Sequence, residues 1–229
     1  MSADFGRIWY SYYMTYKLCL FDLDGTLTDP KIGITNSFQY ALSSFGIHEK
    51  LETLTGFIGP SLRWTFKEYY GFSDSDTEKA VAKYREYFSE KGLYENTVYF
   101  GIPEILRSLC DNGVTMAVAT NKVTLYSEKI LEYFGIRRYF AFVSGDEMDG
   151  RLTRNGKSGI IRIALNALDR DRQMPAVMIG DRVIDITGAR DNEIDSIWAD
   201  WGYGTREERD SSGATWIADS PDELRRLIL

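Results

Sequence analysis

Two acidic residues separated by one position, Asp22 and Asp24, follow an apolar run at 18–21 and precede Gly25. Such a run is typical of a buried strand, so both acids are expected where that strand ends. One carboxylate can attack phosphorus, while the second can exchange a proton with the leaving or attacking oxygen. Gly25 lets the chain turn sharply, so that backbone N–H groups can approach an anion. The segment therefore indicates phosphoryl chemistry.

Further polar groups of matching chemistry lie at the ends of other predicted elements. They are the hydroxyl and amide after the apolar run 114–119, the lysine before the helical run 160–168, and the acids after the apolar run 176–179: Thr120, Asn121, Lys157, Asp181 and Asp185. In open parallel sheets, ligands bind at the carboxyl ends of the strands. We therefore expect these groups to converge at one edge of a sheet.

In this order, the residues resemble the four motifs of the haloacid dehalogenase superfamily, and more narrowly its phosphoglycolate-phosphatase-like branch with a small helical cap. The resemblance extends over nearly the whole chain after residue 16. It implies an α/β fold with a Rossmann-like parallel sheet core and an inserted all-helical cap domain. It also implies a Mg²⁺-dependent phosphatase that hydrolyses a small phosphomonoester, 2-phosphoglycolate-like or a nucleoside 5′-monophosphate, through an aspartyl-phosphate intermediate.

The resemblance implies a role for each of these residues. Asp22 would be the nucleophile and Asp24 the acid and base, whereas true dehalogenases of the superfamily lack an acid at the second position. Lys157 would offset the repulsion between a carboxylate and a phosphate dianion, which reaches several kcal/mol at ~4 Å. Phosphate binding would be shared by Thr120, Asn121 and Lys157.

A divalent cation would also reverse that repulsion, and Mg²⁺ prefers oxygen ligands. The resemblance implies that Asp22, the backbone carbonyl of Asp24, and Asp181 bind the metal. Asp185 would support the site by holding a metal-bound water or Lys157.

Strand-like segments alternate with amphipathic helical segments, which predicts a parallel sheet covered by helices. The strands are predicted near 17–22, 114–119, 140–144, 176–180, 195–199 and 215–218. Between 30 and 96 the alternation stops, and three runs of helical spacing follow one another. The chain therefore divides into an N-terminal aromatic arm (1–16), a catalytic core (17–29 and 97–229) and a helical cap (30–96), with hinges near residues 29–31 and 96–101.

Within the predicted cap, a Gly/Pro turn at 56–60 leads into a helix that carries Arg63 and Trp64 one turn inside. One interpretation is that this turn overhangs the phosphate site, so that Arg63 or Trp64 touches the leaving group. The other is a helix start with an exposed arginine and a packed tryptophan. The sequence favours neither.

The 229 residues carry a net charge of −7, which argues against nucleic acid or an anionic membrane as the main partner. No apolar run approaches the ~20 residues of a membrane span, and the first residues lack the pattern of a signal peptide. We expect a cytoplasmic monomer or homodimer whose partner is a small phosphomonoester. Cys19 and Cys110 are predicted to be buried thiols in a reducing compartment.

One position departs from the family pattern. After Gly188-Ala189-Arg190-Asp191-Asn192 the family usually has a glycine, and this chain has Glu193. The departure concerns the end of a helix, where we predict that Asn192 takes the left-handed conformation.

Three other functions share part of this pattern. A sugar-phosphate mutase of the same superfamily would use the same residues and return the phosphate to its product. A phosphoacceptor signalling domain also has an aspartate on a parallel sheet, but such domains are shorter and lack a helical insertion after the first strand. A catalytically silent interaction protein would need a blocked pocket, which the sequence does not reveal.

Overall fold

The computed structural model describes residues 16–153 and 156–229. The predicted aromatic arm therefore lies outside the described residues, apart from its last member, Tyr16. That side chain is buried, its hydroxyl donates to Asp195 Oδ2 (2.8 Å), and Trp216 Nε1 donates to the Tyr16 hydroxyl (3.1 Å). Tyr16 thus fastens the start of the described chain to the sheet.

The described residues form eight strands: β1 (Leu18–Phe21), β2 (Thr28–Asp29), β3 (Thr97–Val98), β4 (Thr115–Val123), β5 (Phe142–Asp146), β6 (Ala176–Gly180), β7 (Asp195–Ala199) and β8 (Trp216–Ala218). Six of them make a parallel sheet in the order β5-β4-β1-β6-β7-β8, while β2 and β3 pair antiparallel. The predicted α/β fold and its parallel sheet are confirmed.

Ten α-helices complete the described fold: α1 (Lys31–Ser43), α2 (Leu51–Thr55), α3 (Leu62–Trp64), α4 (Asp74–Tyr87), α5 (Ile102–Asp111), α6 (Thr124–Tyr133), α7 (Ser158–Leu168), α8 (Val183–Asp191), α9 (Arg206–Ser212) and α10 (Pro221–Ile228). Wider π-helical turns extend α3 through Thr65–Tyr69 and α4 through Phe88–Gly92. Within the described ranges, none of these helices has the length and apolar composition that a membrane span requires.

The central strand β1 is buried on both faces, which explains why its sequence is apolar without alternation. Cys19 and Phe21 belong to the apolar cluster on one face of the sheet, and Leu18 and Leu20 belong to the cluster on the other face. Parallel strands with helices on both sides require such two-sided burial. The strand is thereby fixed in register, and the acids that follow it are fixed in place.

Helices α1 to α4 all lie between β2 and β3, in the stretch predicted to be a cap. Their packing centres on Phe38, whose ring centroid is 5.5 Å from that of Phe57, 5.4 Å from that of Phe66 and 5.0 Å from that of Tyr84. The short helix α2 was not among the three predicted runs. The limits of the cap at 30 and 96 and its hinge motion stay predictions.

The prediction that Cys110 is buried was wrong, because this thiol is exposed while Cys19 is buried. Helix α5 buries Ile102, Leu106 and Leu109, among others. Cys110, the next residue, points about 100° away from Leu109 around the helix axis and therefore toward solvent.

The prediction for the end of α8 was also wrong, because Glu193 takes the left-handed conformation (φ 57°) and Asn192 does not (φ −103°). Glu193 N–H donates to Arg190 O (3.0 Å), and Ile194 N–H donates to Ala189 O (3.2 Å). These two bonds form a Schellman motif, which requires positive φ at the residue after the helix cap. The glutamate therefore occupies the position where glycine is usual.

Candidate active site

The carboxyl ends of β1, β4 and β6 bring three predicted site residues to one edge of the sheet. Asp22 directly follows β1, and its N–H donates to Ile179 O in the neighbouring strand β6 (2.8 Å). Asp181 directly follows β6, and Thr120 lies within the last part of β4. All three side chains are buried.

Lys157 lies between two of the carboxylates. It directly precedes α7, and its fully buried Nζ is 2.7 Å from Asp22 Oδ2 and also pairs with Asp185 Oδ1. The other oxygen of Asp22 accepts a bond from the N–H of Leu23 (2.7 Å). Burial lowers the pKa of Lys157, but the charges of Asp185 and Asp22 outweigh it, so that the pKa is raised overall. The ammonium therefore keeps its charge.

Three buried carboxylates form a compact acidic cluster. One oxygen each from Asp22, Asp181 and Asp185 lies within 4.8 Å of the other two. Burial, followed by the charge of Asp22, raises the pKa of Asp181 to about 8. Three carboxylates face one ammonium, and a hard cation with oxygen ligands would balance the excess negative charge. The cluster therefore fits a divalent cation.

The orientation of Asp181 depends on two donors. Thr26 Oγ1 donates to Asp181 Oδ1 (3.2 Å), and the N–H of Tyr203 donates to Asp181 Oδ2 (2.8 Å). Gly25, with φ of +89°, lies against the same carboxylate, and a Cβ added there would be 2.2 Å from Asp181 Oδ2. Only glycine combines that backbone conformation with so close an approach.

Asp24 pairs with a lysine that the motif analysis did not single out. Lys122 Nζ contacts Asp24 Oδ2, and the same Nζ lies 4.7 Å from the ring centroid of Phe88. Asp24 Oδ1 is buried and has no hydrogen-bond partner among the described residues. Burial raises the pKa of Asp24, and the charge of Lys122 opposes that rise. The only signal in the sequence is that Lys122 directly follows Thr120-Asn121.

A bulge in β4 places Lys122 there. Ala119 pairs with Ser144, and the next pair is Val123 with Asp146. An advance of four residues along β4 therefore corresponds to an advance of two residues along β5. Bulges bend a strand and redirect its side chains. Three residues of β4, Thr120, Asn121 and Lys122, thus lie opposite the single residue Gly145, and all three line the cavity above the sheet edge.

The predicted phosphate-binding residues Thr120 and Asn121 lie at the top of this bulge. Thr120 is buried, and its hydroxyl accepts a bond from the N–H of Lys122 (3.3 Å). Asn121 Nδ2 donates to Gly59 O in the predicted cap turn (3.5 Å), while its Oδ1 is buried without a partner among the described residues. Asn121 therefore links the sheet edge to the turn above it.

A cavity of about 160 Å³ separates the sheet edge from the helices of the predicted cap. Asp22 and Asp24 line it from the sheet side, and Arg63 lines it from the opposite side. The guanidinium of Arg63 donates to both carboxylate oxygens of Glu78 (2.6 and 2.8 Å). Trp64 lies outside the cavity lining and is 54% exposed. Selection of substrate by either residue stays a prediction.

Comparisons with known proteins agree with this geometry. Residues 19–199 match the profile of the haloacid dehalogenase-like hydrolases. A 5′-nucleotidase of Pseudomonas aeruginosa is 43% identical over 94% of this chain and 96% of its own length. The tyrosine-protein kinase PtkA of Mycobacterium tuberculosis is 36% identical over 93% of this chain and 72% of its own. A phosphoglycolate phosphatase of Vibrio parahaemolyticus is 28% identical over 93% and 96%.

Among solved structures, a predicted phosphatase from Clostridium acetobutylicum superposes with a TM-score of 0.87. It shares 43% identity, and the match covers 94% of this chain and 99% of that one. The site and these comparisons define a class, the phosphoric monoester hydrolases built on a parallel α/β sheet. The chain belongs to the haloacid dehalogenase-like hydrolase family, which confirms the family resemblance.

Proposed function

We propose that this hydrolase cleaves a small phosphomonoester through a covalent phosphoryl intermediate on Asp22 and requires Mg²⁺. The observation that carries the proposal is the position of Asp22. Its carboxylate is buried at a cavity wall, held by the Leu23 N–H and by Lys157 Nζ, and adjacent to two further carboxylates. A nucleophile needs such fixed orientation and a nearby positive charge when it approaches a phosphate dianion.

In the first step, an oxygen of Asp22 attacks phosphorus and the bond from phosphorus to the leaving oxygen breaks. Asp24 gives its proton to that oxygen, so that the product leaves as an alcohol. In the second step, Asp24 takes a proton from water, whose oxygen attacks phosphorus and releases inorganic phosphate from Asp22. Thr120 and Asn121 donate to the phosphoryl oxygens, and Lys157 neutralises part of their charge.

Mg²⁺ would be held by Asp22 and Asp181, with the backbone carbonyl of Asp24 as a further ligand and Asp185 in support. The acidic cluster described above supports this assignment, because its carboxylates outnumber the single buried ammonium. When bound, the cation supplies charge stabilisation for the phosphoryl oxygens. The side chain of Asp24 contacts Lys122 and is not one of the proposed metal ligands. Its carboxyl group therefore stays available for proton transfer.

The substrate would be a nucleoside 5′-monophosphate or a 2-phosphoglycolate-like compound. The names of two relatives, a 5′-nucleotidase and a phosphoglycolate phosphatase, support this range. The limited volume of the cavity, about 160 Å³, also favours a small leaving group. A panel of phosphomonoesters assayed for phosphate release with Mg²⁺ would choose among them, and isomerised substrate without phosphate release would indicate a mutase.

The covalent step is tested by Asp22→Asn. This variant should lose turnover by about 10⁴-fold or more, as enzymes do when a nucleophile is removed, while keeping its thermal unfolding transition. Mass spectrometry after rapid quenching should detect a phosphorylated peptide containing Asp22 in the wild type only. Asp171→Asn, which changes an exposed aspartate far from the site, serves as the control. Substantial activity in pure Asp22→Asn protein would refute the mechanism.

The metal requirement is tested by binding as well as by activity. Mg²⁺ at a hundredfold excess over its Kd should stabilise the folded protein by about 2.7 kcal/mol, which is roughly 5 to 10 °C in Tm for a chain of this size. Asp181→Asn should reduce the shift, because it removes one anionic ligand. Exhaustive chelation should abolish activity, and readdition of Mg²⁺ should restore it. Full activity after chelation would contradict the proposal.

A further inference from the structure

Arg85 lies on helix α4 and lines the cavity from the side opposite the sheet edge. The residue is half-buried, and its Nε is buried without a hydrogen-bond acceptor. Within residues 16–153 and 156–229, no carboxylate forms an ion pair with it and no oxygen accepts a hydrogen bond from it. A guanidinium carries five donors in a planar fork, so an arginine without acceptors at a cavity wall is open to a ligand.

The other cations that line the cavity or lie beneath it are already paired. Arg63 donates twice to Glu78, and Lys122 contacts Asp24. Lys157 lies between Asp22 and Asp185. In the described part of the cavity, Arg85 is thus the cation that has no acceptor.

Two further acids that line the cavity, at the end of β5, are also engaged elsewhere. Asp146 Oδ1 accepts bonds from the N–H groups of Glu147 (2.7 Å) and Leu152 (3.1 Å), and its Oδ2 accepts from Thr153. Glu147 forms an ion pair with Arg151 (2.7 Å). These carboxylates leave the charge of Arg85 without a contacting partner. Burial, followed by the positive charge of Arg63, lowers the pKa of Arg85, although the more distant charges of Glu78 and Asp146 oppose this shift.

The position of Arg85 relative to the reacting groups follows from its neighbour on the helix. Phe88 lies three residues further on, hence on the same face one turn away. Its ring covers Lys122, the lysine that contacts Asp24. Asp24 is the residue that protonates the leaving oxygen in the proposed reaction. Arg85 therefore faces the part of the cavity that the leaving group enters.

We propose that Arg85 determines substrate specificity by binding an anionic group, a carboxylate or a second phosphate, on the leaving group. This inference rests on the proposed function, since it assigns the substrate class of the same site. Arginine matches both anions through paired N–H bonds, and it distinguishes them from neutral groups of the same size. A substrate with negative charge at both ends would place its phosphoryl group at Asp22 and Lys157 and its second anionic group at Arg85.

The test compares two pairs of substrates in which one member carries an anionic group on the leaving group and the other carries a neutral hydroxyl there. One pair is 2-phosphoglycolate and 2-hydroxyethyl phosphate; the other is propane-1,3-diol bisphosphate and its monophosphate. Wild type should prefer the anionic member of at least one pair, and that pair identifies the anion. Arg85→Gln should lower kcat/KM for the anionic member by about tenfold to a hundredfold, the usual effect of losing a charged hydrogen bond. The neutral member should change by less than about threefold, and Arg85→Lys should retain part of the preference.

Lys83→Gln is the matched control, because it removes a positive charge from the same helix at a residue that pairs with Glu86 outside the cavity. It should leave the preference unchanged. Calorimetric binding of both pairs to Asp22→Asn and to Asp22→Asn/Arg85→Gln repeats the comparison without turnover. If wild type releases no phosphate from any ester, the proposed function fails, and the binding data still decide the role of Arg85. Equal effects of Arg85→Gln on both members of each pair, or no preference in wild type, would overturn the inference.

Discussion

Lys122 contacts the carboxylate of Asp24, and the ring of Phe88 lies against the same ammonium. Both charged side chains are nearly buried, with 8% and 12% of their surfaces exposed. While Asp24 is ionised, as it must be to take a proton from water, each charge depends on the other, because an unpaired buried charge costs about 3 to 5 kcal/mol. The proton donor of the proposed reaction is thus oriented by a residue from another strand.

Replacement of this lysine should show its effect through the leaving group. We expect Lys122→Met to lower kcat/KM, which reports the first step alone, by about tenfold to a hundredfold for alkyl phosphates, since a misplaced general acid loses part of its 10²- to 10⁴-fold contribution. For p-nitrophenyl phosphate, whose leaving group needs no proton, the loss should stay below about threefold. Steady-state kinetics on both substrates measures the difference.

Lys129→Met, at an exposed position on α6, is the control for this measurement and should change neither rate. Equal losses of kcat/KM on both substrates in Lys122→Met would contradict an orienting role for Lys122. Such a result would instead mean that this lysine supports the phosphoryl group or the fold.

The sequence predicts some site residues much better than others. Asp22, Thr120 and Asp181 were predictable because each ends an apolar strand, and parallel topology brings strand ends together. The contact of Lys122 with Asp24 was not predictable, because it depends on the number of extra residues in a bulge. Arg85 follows a buried tyrosine on a helix, and periodicity does not reveal which residues outside the apolar face another part of the chain will cover.

At the scale of elements, the turn before α3 is held against the sheet edge by two side chains. Asn121 Nδ2 donates to Gly59 O (3.5 Å), and Arg182 donates to Ile58 O (2.6 Å). Arg63 on α3 then joins this turn to α4, because its guanidinium forms a two-bond ion pair with Glu78. The six strands of the large sheet and most helices were predicted from apolar spacing, but β2 and β3 were not. The polar contacts between elements have no periodic signal.

The position of Arg63 beside this turn predicts a role in substrate selection. Arg63→Ala should change kcat/KM unequally across substrates with different leaving groups, because the residue lines the cavity away from the phosphoryl group. A small aryl phosphate should be barely affected. The loss of stability should be about 1 kcal/mol, since the pair with Glu78 is partly exposed, at 30% and 58% of the two side chains. Kinetics on a substrate panel and thermal unfolding measure the two effects.

Glu78→Gln separates two ways in which Arg63 could act. If Arg63 works by joining the turn to α4, both variants should give the same substrate profile. If its guanidinium touches substrate, Glu78→Gln should retain selectivity. A uniform change across the panel in Arg63→Ala would show that this turn does not select substrate.

At the scale of the whole molecule, every predicted catalytic residue lies after Lys17. A variant that begins at Thr15 keeps Tyr16 and its bonds to Asp195 and Trp216. We therefore expect its kcat to stay within a few-fold of the full chain and its Tm to change little. Activity and thermal unfolding of the purified proteins test this expectation.

A second variant that begins at Lys17 is the comparison, because it also removes Tyr16. It should lose stability, by about 1 kcal/mol for each hydrogen bond removed. A hundredfold loss of kcat in the variant that begins at Thr15 would mean that the first 14 residues shape the active site or a required dimer.

The antiparallel pair of β2 and β3 permits the segment between these two strands to vary in length. Asp29 of β2 pairs with Thr97 of β3, so the segment between them begins and ends at adjacent points. Paired residues in antiparallel strands are about 5 Å apart, a gap that a two-residue hairpin can close. Segments of very different length can therefore connect β2 to β3 without moving a strand of the large sheet. The prediction that residues 30–96 select the substrate therefore implies that substrate choice can change without a change in the strands that hold the catalytic residues.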